Sequence, residues 1–166
     1  IGKAENREAA WEMAEQAVTV YKNDDGAYPV KMEDGQKALI LFSDSAAGRA
    51  GAGELAKEML TEKEALPKDA DITIMVNTQD NEKKCLKAAK NADHVILVYR
   101  TIGADSVDPD TEAGFSSAVF DRVIEERHKA GKKVIFVSCQ LPYDAARFPE
   151  ADAIVLTYGS GLMEEL

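Results

Sequence analysis

His94-Val95-Ile96-Leu97-Val98-Tyr99 is apolar or aromatic at every position after the first, with no alternation. A strand with one wet face alternates between apolar and polar residues, so an unbroken run predicts a strand covered on both faces. Ala38-Leu39-Ile40-Leu41-Phe42, Ile72-Thr73-Ile74-Met75-Val76, Val134-Ile135-Phe136-Val137 and Ala153-Ile154-Val155-Leu156 read in a similar way. Between them lie stripes at helical spacing: Leu55, Ala56, Met59 and Leu60; Cys85, Leu86, Ala88 and Ala89; and Phe115, Ala118, Val119 and Val123. These spacings put each set on one side of a helix. His128 and Lys129 complement the dipole at the end of the third helix, and Gly131 closes it. Pro142 and Pro149 limit the last connection, Gln140 to Asp152, to a turn or two. Strand and helix in repeated alternation predict a doubly wound, flavodoxin-like α/β fold. That is a three-layer sandwich with a mostly parallel sheet of five or six strands and helices on both faces.

The chain has 166 residues, the length of one ordinary domain. Ala10, Met13, Ala14, Ala17, Val18 and Tyr21 trace a leading helix that stops at Lys22-Asn23-Asp24-Asp25-Gly26, before the short extended piece Tyr28-Pro29-Val30. Residues 1–35 are expected to be a helix and linker packed on a sandwich of residues 36–166. With 30 acidic and 20 basic residues the net charge is −10, which argues against a nucleic-acid groove. No run approaches the length of a membrane span, and the N-terminus lacks a signal-peptide pattern. It also lacks an initiator Met, as expected of a processed protein or a piece of a longer one. Cys85 and Cys139 lie outside any Cys-x-x-Cys pair and at no zinc spacing from His94 or His128. They read as small buried hydrophobes that assign no compartment, and no metal or cofactor is expected.

Two stretches resemble glycoside hydrolase family 3. Ala14-Glu15-Gln16-Ala17-Val18-Thr19-Val20-Tyr21-Lys22-Asn23, followed by Gly26 and Pro29, falls in register with the helix and turn that open the family's C-terminal α/β sandwich. In that register Lys22 faces helix carbonyls and Asn23 leaves the helix at positive φ. Lys132-Lys133-Val134-Ile135-Phe136-Val137, then Pro142-Tyr143-Asp144 and Phe148-Pro149-Glu150-Ala151-Asp152-Ala153, is similar to the strand, turn and last-strand approach of the same domain. The Pro-Tyr-Asp version is nearer the β-N-acetylhexosaminidase branch. The resemblance implies a partner, an N-terminal (β/α)₈ barrel that carries the nucleophilic aspartate and the carbohydrate substrate. The hexosaminidase Lys-His-Phe-Pro-Gly motif and Asp-His loop are absent from this sequence. Arg100 to Asp108 also lacks the Glu-Gly-x-Asp-Arg stretch of the glucosidase branch. Neither carboxyl group of a glycosidase pair is assigned to this chain, so no catalytic residue is expected here. An apolar barrel-facing surface would favour self-association when uncovered.

Sites in such sheets gather at the carboxyl ends of strands. Asp44, Arg100 and Asp105 are therefore candidates for the rim of a substrate site, Arg100 either forking to a ligand or pairing with Asp105 or Asp144. The loop Ser43 to Gly53 invites a different function, that of a stand-alone small-molecule or phosphate-binding module. Its glycines run G-x-x-G-x-G and Glu54 follows, which fits neither phosphate template. It reads as a flexible entrance to a helix. Asp105, Asp108, Asp110 and Glu112 form a solvated acidic loop without EF-hand geometry. His94 is expected to be structural, and Ser138 lacks a nucleophile context.

Overall fold

The computed structural model describes residues 9, 12–14, 16–51, 53–54, 57–58, 66–67, 69–106 and 108–158. Six strands form one sheet: β1 (Thr19–Asn23), β2 (Lys37–Phe42), β3 (Asp71–Val76), β4 (His94–Tyr99), β5 (Ile135–Ser138) and β6 (Ala153–Leu156). Their order is β1-β6-β5-β4-β2-β3. β2 to β6 are parallel in the flavodoxin-like arrangement, and β1 pairs antiparallel on the outside of β6. The five expected runs all lie in strands, apart from Val134, which immediately precedes β5.

The two sheet faces have different covers. Leu39, Leu41, Val95, Leu97, Tyr99, Phe136 and Ile154 pack with Cys85 and Ala89 of the Glu82–Asn91 helix and Val119, Phe120 and Val123 of the Phe115–Lys129 helix. Tyr99, Phe120, Phe136 and Phe148 interlock there, with ring centroids 4.6 to 6.2 Å apart. On the other face Phe42 and Val98 pack with Ala46 and Ala50, where a 3₁₀ turn (Asp44–Arg49) runs into helical residues. Ile135, Ala153 and Val155 are covered by Ala27 and Val30. The result is the three-layer sandwich. Leu55, Ala56, Met59 and Leu60, the stripe of the first crossover helix, lie outside the described residues.

The leading helix is shorter than the apolar stripe predicts. Residues 9, 12–14, 16 and 17 are helical, but Thr19 to Asn23 are strand. Val18-Thr19-Val20-Tyr21 is β-branched and aromatic, so it suits an edge strand as well as a helical stripe. Asn23 is accordingly extended at φ −155°, and the left-handed residues are Asp25 and Gly26. Lys22 donates to the Pro149 carbonyl (2.8 Å) rather than to helix carbonyls. The Asn23 side chain brackets Tyr28, donating to its carbonyl (2.7 Å) and accepting its N–H (2.9 Å). Gly131 closes the Phe115–Lys129 helix at φ +68°, as expected. His128 bonds Asp152 at 3.0 Å across the chain, an ion pair when protonated rather than a simple dipole cap. Both cysteines are buried, and neither is in a disulfide. Among the described residues no helix is long and apolar enough to cross a membrane.

Candidate functional site

β2 and β4 are neighbours, but β3 follows β2 on one side and β5 follows β4 on the other. The chain reverses direction across the sheet here, so loops leaving β2 and β4 diverge and leave a crevice. A cavity of about 540 Å³ lies at these ends, bounded by Asp44 and Ser45, Gln79, Asp105, Thr111 and Glu112. The structure thus brings Asp44 and Asp105 together. Ser45 donates to the Arg100 carbonyl (2.5 Å) and shares a hydrogen bond with Ser43 (2.9 Å), tying the two loops below the cavity. The acidic loop is folded rather than loose, because the Thr111 hydroxyl lies 2.5 Å from the Asp105 carbonyl and 2.9 Å from that of Asp108. Gly114 completes it. A Cβ there would stand 1.7 Å from the Asp108 carbonyl oxygen, so only glycine fits.

The carboxylates of Asp44, Asp105 and Glu112 around the crevice disfavour a phosphate. The 43–53 segment does enter a helix, as expected, but its entrance is a regular turn rather than a flexible loop. Asp44–Arg49 is a regular 3₁₀ turn, Gly51 is helical, and added Cβ atoms at Gly48 or Gly51 would meet nothing within 4 Å.

Arg100 is not among the residues that line this crevice. Its Nε donates to Gln140 Oε1 at 2.6 Å, and neither Asp105 nor Asp144 lies at ion-pair distance. The expected acidic partner is replaced by a neutral amide because Asp144 is engaged elsewhere. That carboxyl, 2 % exposed, accepts from the hydroxyls of Thr101 and, at 3.0 Å, Ser138. Burial pushes its pKa up against the lowering effect of those hydrogen bonds. The Ser138 hydroxyl also lies 2.7 Å from the Leu141 carbonyl, so its single proton is shared between the two acceptors. The proline turn Pro142–Ala146 is therefore pinned to the exits of β4 and β5 by Asp144. Tyr99, whose hydroxyl donates to the Ser106 carbonyl, is pushed up to about 12, first by burial and then by the Asp144 charge.

Pinning Asp144 inward turns its predecessor outward. Tyr143 is 78 % exposed and Ile102 65 %, with Leu141 beside them on a groove of about 350 Å³ that also includes Gln140 and Arg147. Arg147 is held by both oxygens of Asp121 and lies 4.9 Å from the Phe148 ring centroid. Sequence reasoning passed over Ile102, Gln140 and Tyr143 as a surface. The missed signal was the pairing of exposed apolar positions with the buried acid of the same turn.

At the opposite end His94 bonds Gln36 (2.9 Å), and burial lowers its pKa, in keeping with a structural role.

No family model matches the sequence, and no curated protein matches it. Solved structures do match. A glycoside hydrolase family 3 β-N-acetylglucosaminidase from Paenibacillus sp. str. FPU-7 superposes with a TM-score of 0.62 over 96 % of this chain, at 10 % identity. The β-glucoside phosphorylase BglX gives 0.61 over 98 %, at 14 % identity. A fungal multi-domain family 3 β-N-acetylglucosaminidase with an N-acetyltransferase region gives 0.58 over 92 %, at 21 % identity. This chain spans 28 %, 28 % and 16 % of those three proteins. The likeness carried by the two sequence signatures is thus met in three dimensions: the chain has the α/β fold of a segment of family 3 glycoside hydrolases.

Proposed function

We propose that the chain is the non-catalytic C-terminal sandwich of a family 3 glycoside hydrolase of the β-N-acetylhexosaminidase type. It supports a (β/α)₈ barrel that binds the carbohydrate, and lends the carboxyl-end loops, with Asp44, Arg100 and Asp105 among them, to the rim of the site. Residues 1–35 lead from that barrel into the sandwich of residues 36–166.

One observation carries this reading: the two signature stretches, more than a hundred residues apart, are knitted into one unit. Lys22 reaches Pro149, and the Asp24 N–H donates to the Asp152 carbonyl at 2.7 Å. Phe148 and Ala151 of the second stretch are buried in the core. Asp152 takes the Val134 N–H at 2.7 Å. That the residues carrying the resemblance hold these two stretches together supports a scaffold role. The exposed Ile102, Leu141 and Tyr143 are the surface best suited to a covering partner.

The test joins the chain to such a barrel in trans. The chain alone leaves an aryl N-acetylglucosaminide intact, while a family 3 barrel without its own sandwich forms a measurable complex with it. Tyr143→Arg with Ile102→Glu weakens that complex while the chain stays folded. Hydrolysis by the isolated chain, or failure of every such barrel to bind it, refutes the proposal.

A further inference from the structure

Ser138 is the last residue of β5, and its hydroxyl lies between two acceptors. The Leu141 carbonyl is 2.7 Å from Oγ, and Asp144 Oδ2 is 3.0 Å from it. A hydroxyl carries one proton, and O–H···O bonds centre at about 2.7–2.8 Å. The shorter contact sits at that distance, and the Leu141 carbonyl has no proton to give, so the Ser138 proton belongs there. The contact with Asp144 then faces oxygen to oxygen with no hydrogen between, unless the carboxyl supplies one.

Asp144 is placed to supply it. The carboxyl is 2 % exposed. Burial, Thr101 and Ser138 act on its proton with no cation among them, and Arg147 on the same turn gives its guanidinium to both oxygens of Asp121. A carboxylate without a cation is costly in such a place, and a neutral acid is the ordinary way out. Thr101 offers its hydroxyl and its backbone N–H, and a neutral acid still accepts both. The other titratable or charged groups around it are Tyr99 of β4, Asp121 of the Phe115–Lys129 helix and Arg147. Tyr99, pushed up to about 12, keeps its proton through the neutral range.

From this geometry we infer a proton-operated latch, in which Asp144 Oδ2–H donates to Ser138 Oγ and the Ser138 O–H donates to the Leu141 carbonyl. The relay closes the turn that runs from Leu141 to Arg147. When the carboxyl gives its proton to solvent, it draws the Ser138 hydrogen to itself. The Leu141 carbonyl then keeps only the longer bond from the Asp144 N–H, at 3.3 Å. The turn loosens, and with it the footing of the exposed Leu141 and Tyr143. One proton thereby sets the posture of that apolar edge. The latch lies within this chain and stands whether or not the proposed glycosidase role does.

NMR of the labelled chain across a pH series tests it. The signals to follow are the Asp144 carboxyl carbon and the hydrogen exchange of the Asp144 and Arg147 amides, which bond the Leu141 and Asp144 carbonyls at 3.3 and 3.0 Å. The carboxyl should titrate above the ordinary Asp range. Through the same midpoint the protection of both amides, corrected for the intrinsic effect of pH on exchange, should fall about fivefold, as expected for one neutral hydrogen bond. Asp144→Asn offers Ser138 a permanent N–H and should stay protected throughout. Ser138→Ala cuts the relay and should show the lower protection at every pH. Titration at or below the ordinary Asp range would overturn the inference, as would turn amides that hold or gain protection while Asp144 ionises. So would Asp144→Asn losing protection in step with the wild type; if that variant does not fold, the wild-type titration alone decides.

Discussion

Among the described residues each end of the sheet buries one ionisable side chain, and the two are held by opposite means. At the amino end Arg127 is gripped by backbone carbonyls that cannot titrate and that belong to the end of one helix and the approach to β5. At the carboxyl end Asp144 is gripped by hydroxyls of Thr101 and Ser138, and burial raises its pKa. One clamp is permanent and the other depends on a proton. The difference matches the division of labour in open α/β sheets, where stability concentrates at one end and adaptable loops at the other.

Removing the permanent clamp gives the largest expected effect. Arg127→Met takes the guanidinium from the carbonyls of Ala89, Ala92, Asp93 and Lys133, of which Ala92 keeps the Lys132 ammonium at 3.0 Å, and chemical denaturation should report a loss of about 3 kcal/mol or more. If the loss were under 1 kcal/mol, the carbonyls would have other partners and the contrast between the ends would collapse. Next comes Gly114→Ala, which drives a Cβ into the Asp108 carbonyl. It should cost about 2 kcal/mol and disturb the acidic loop while leaving the amino-end amide resonances in place.

Asp144 sharpens the comparison through pH. A carboxyl with a raised folded pKa holds its proton more tightly folded than unfolded. Its contribution to stability is greatest when protonated, falls as pH climbs from the ordinary Asp range to the folded value, and stays low above it. Asp144→Asn keeps an acceptor for Thr101 and offers an N–H to Ser138, which still donates to Leu141. That variant should lose this part of the pH dependence and be more stable than the wild type at pH 7. Asp144→Ala should instead destabilise by about 2 kcal/mol. A wild-type stability that rises with pH through this window, with Asp144→Asn abolishing the rise, would reverse the assignment.

The smallest effect belongs to the 43–53 segment. Gly51→Ala adds a helix-favouring methyl in open space and should stabilise by about 0.5 kcal/mol or leave stability unchanged. A loss above 1 kcal/mol would restore the flexible-loop reading that the structure replaces.

The sheet was legible because β2, β4, β5 and β6 carry unbroken apolar runs, and burial on both faces leaves that trace in any sequence. β1 was hidden for a related reason. Val18, Val20 and Tyr21 continue the apolar stripe of the preceding helix, and nothing local announces an antiparallel partner at Leu156 and Val155. At the site, the pattern of strands put Asp44 and Asp105 only near carboxyl ends; that they line one cavity depends on the strand order, which periodicity does not give. The partner of Arg100 was not predictable, since the choice between Gln140 and an acid depends on how two connections meet. Arg127 carried no signal at all: an arginine near a helix end looks solvated until the other helix is laid beside it.

The antiparallel pairing of β1 with β6 also shapes how the molecule comes together. Thr19 to Asn23 must wait for the residues around 153 to 156 before they have anything to pair with. Such distant closure is slow, and the Val18–Tyr21 segment is a bare edge in the meantime. A nascent chain stalled short of β6 is thus the state in which this protein is most open to a chaperone, or to pairing with a neighbour.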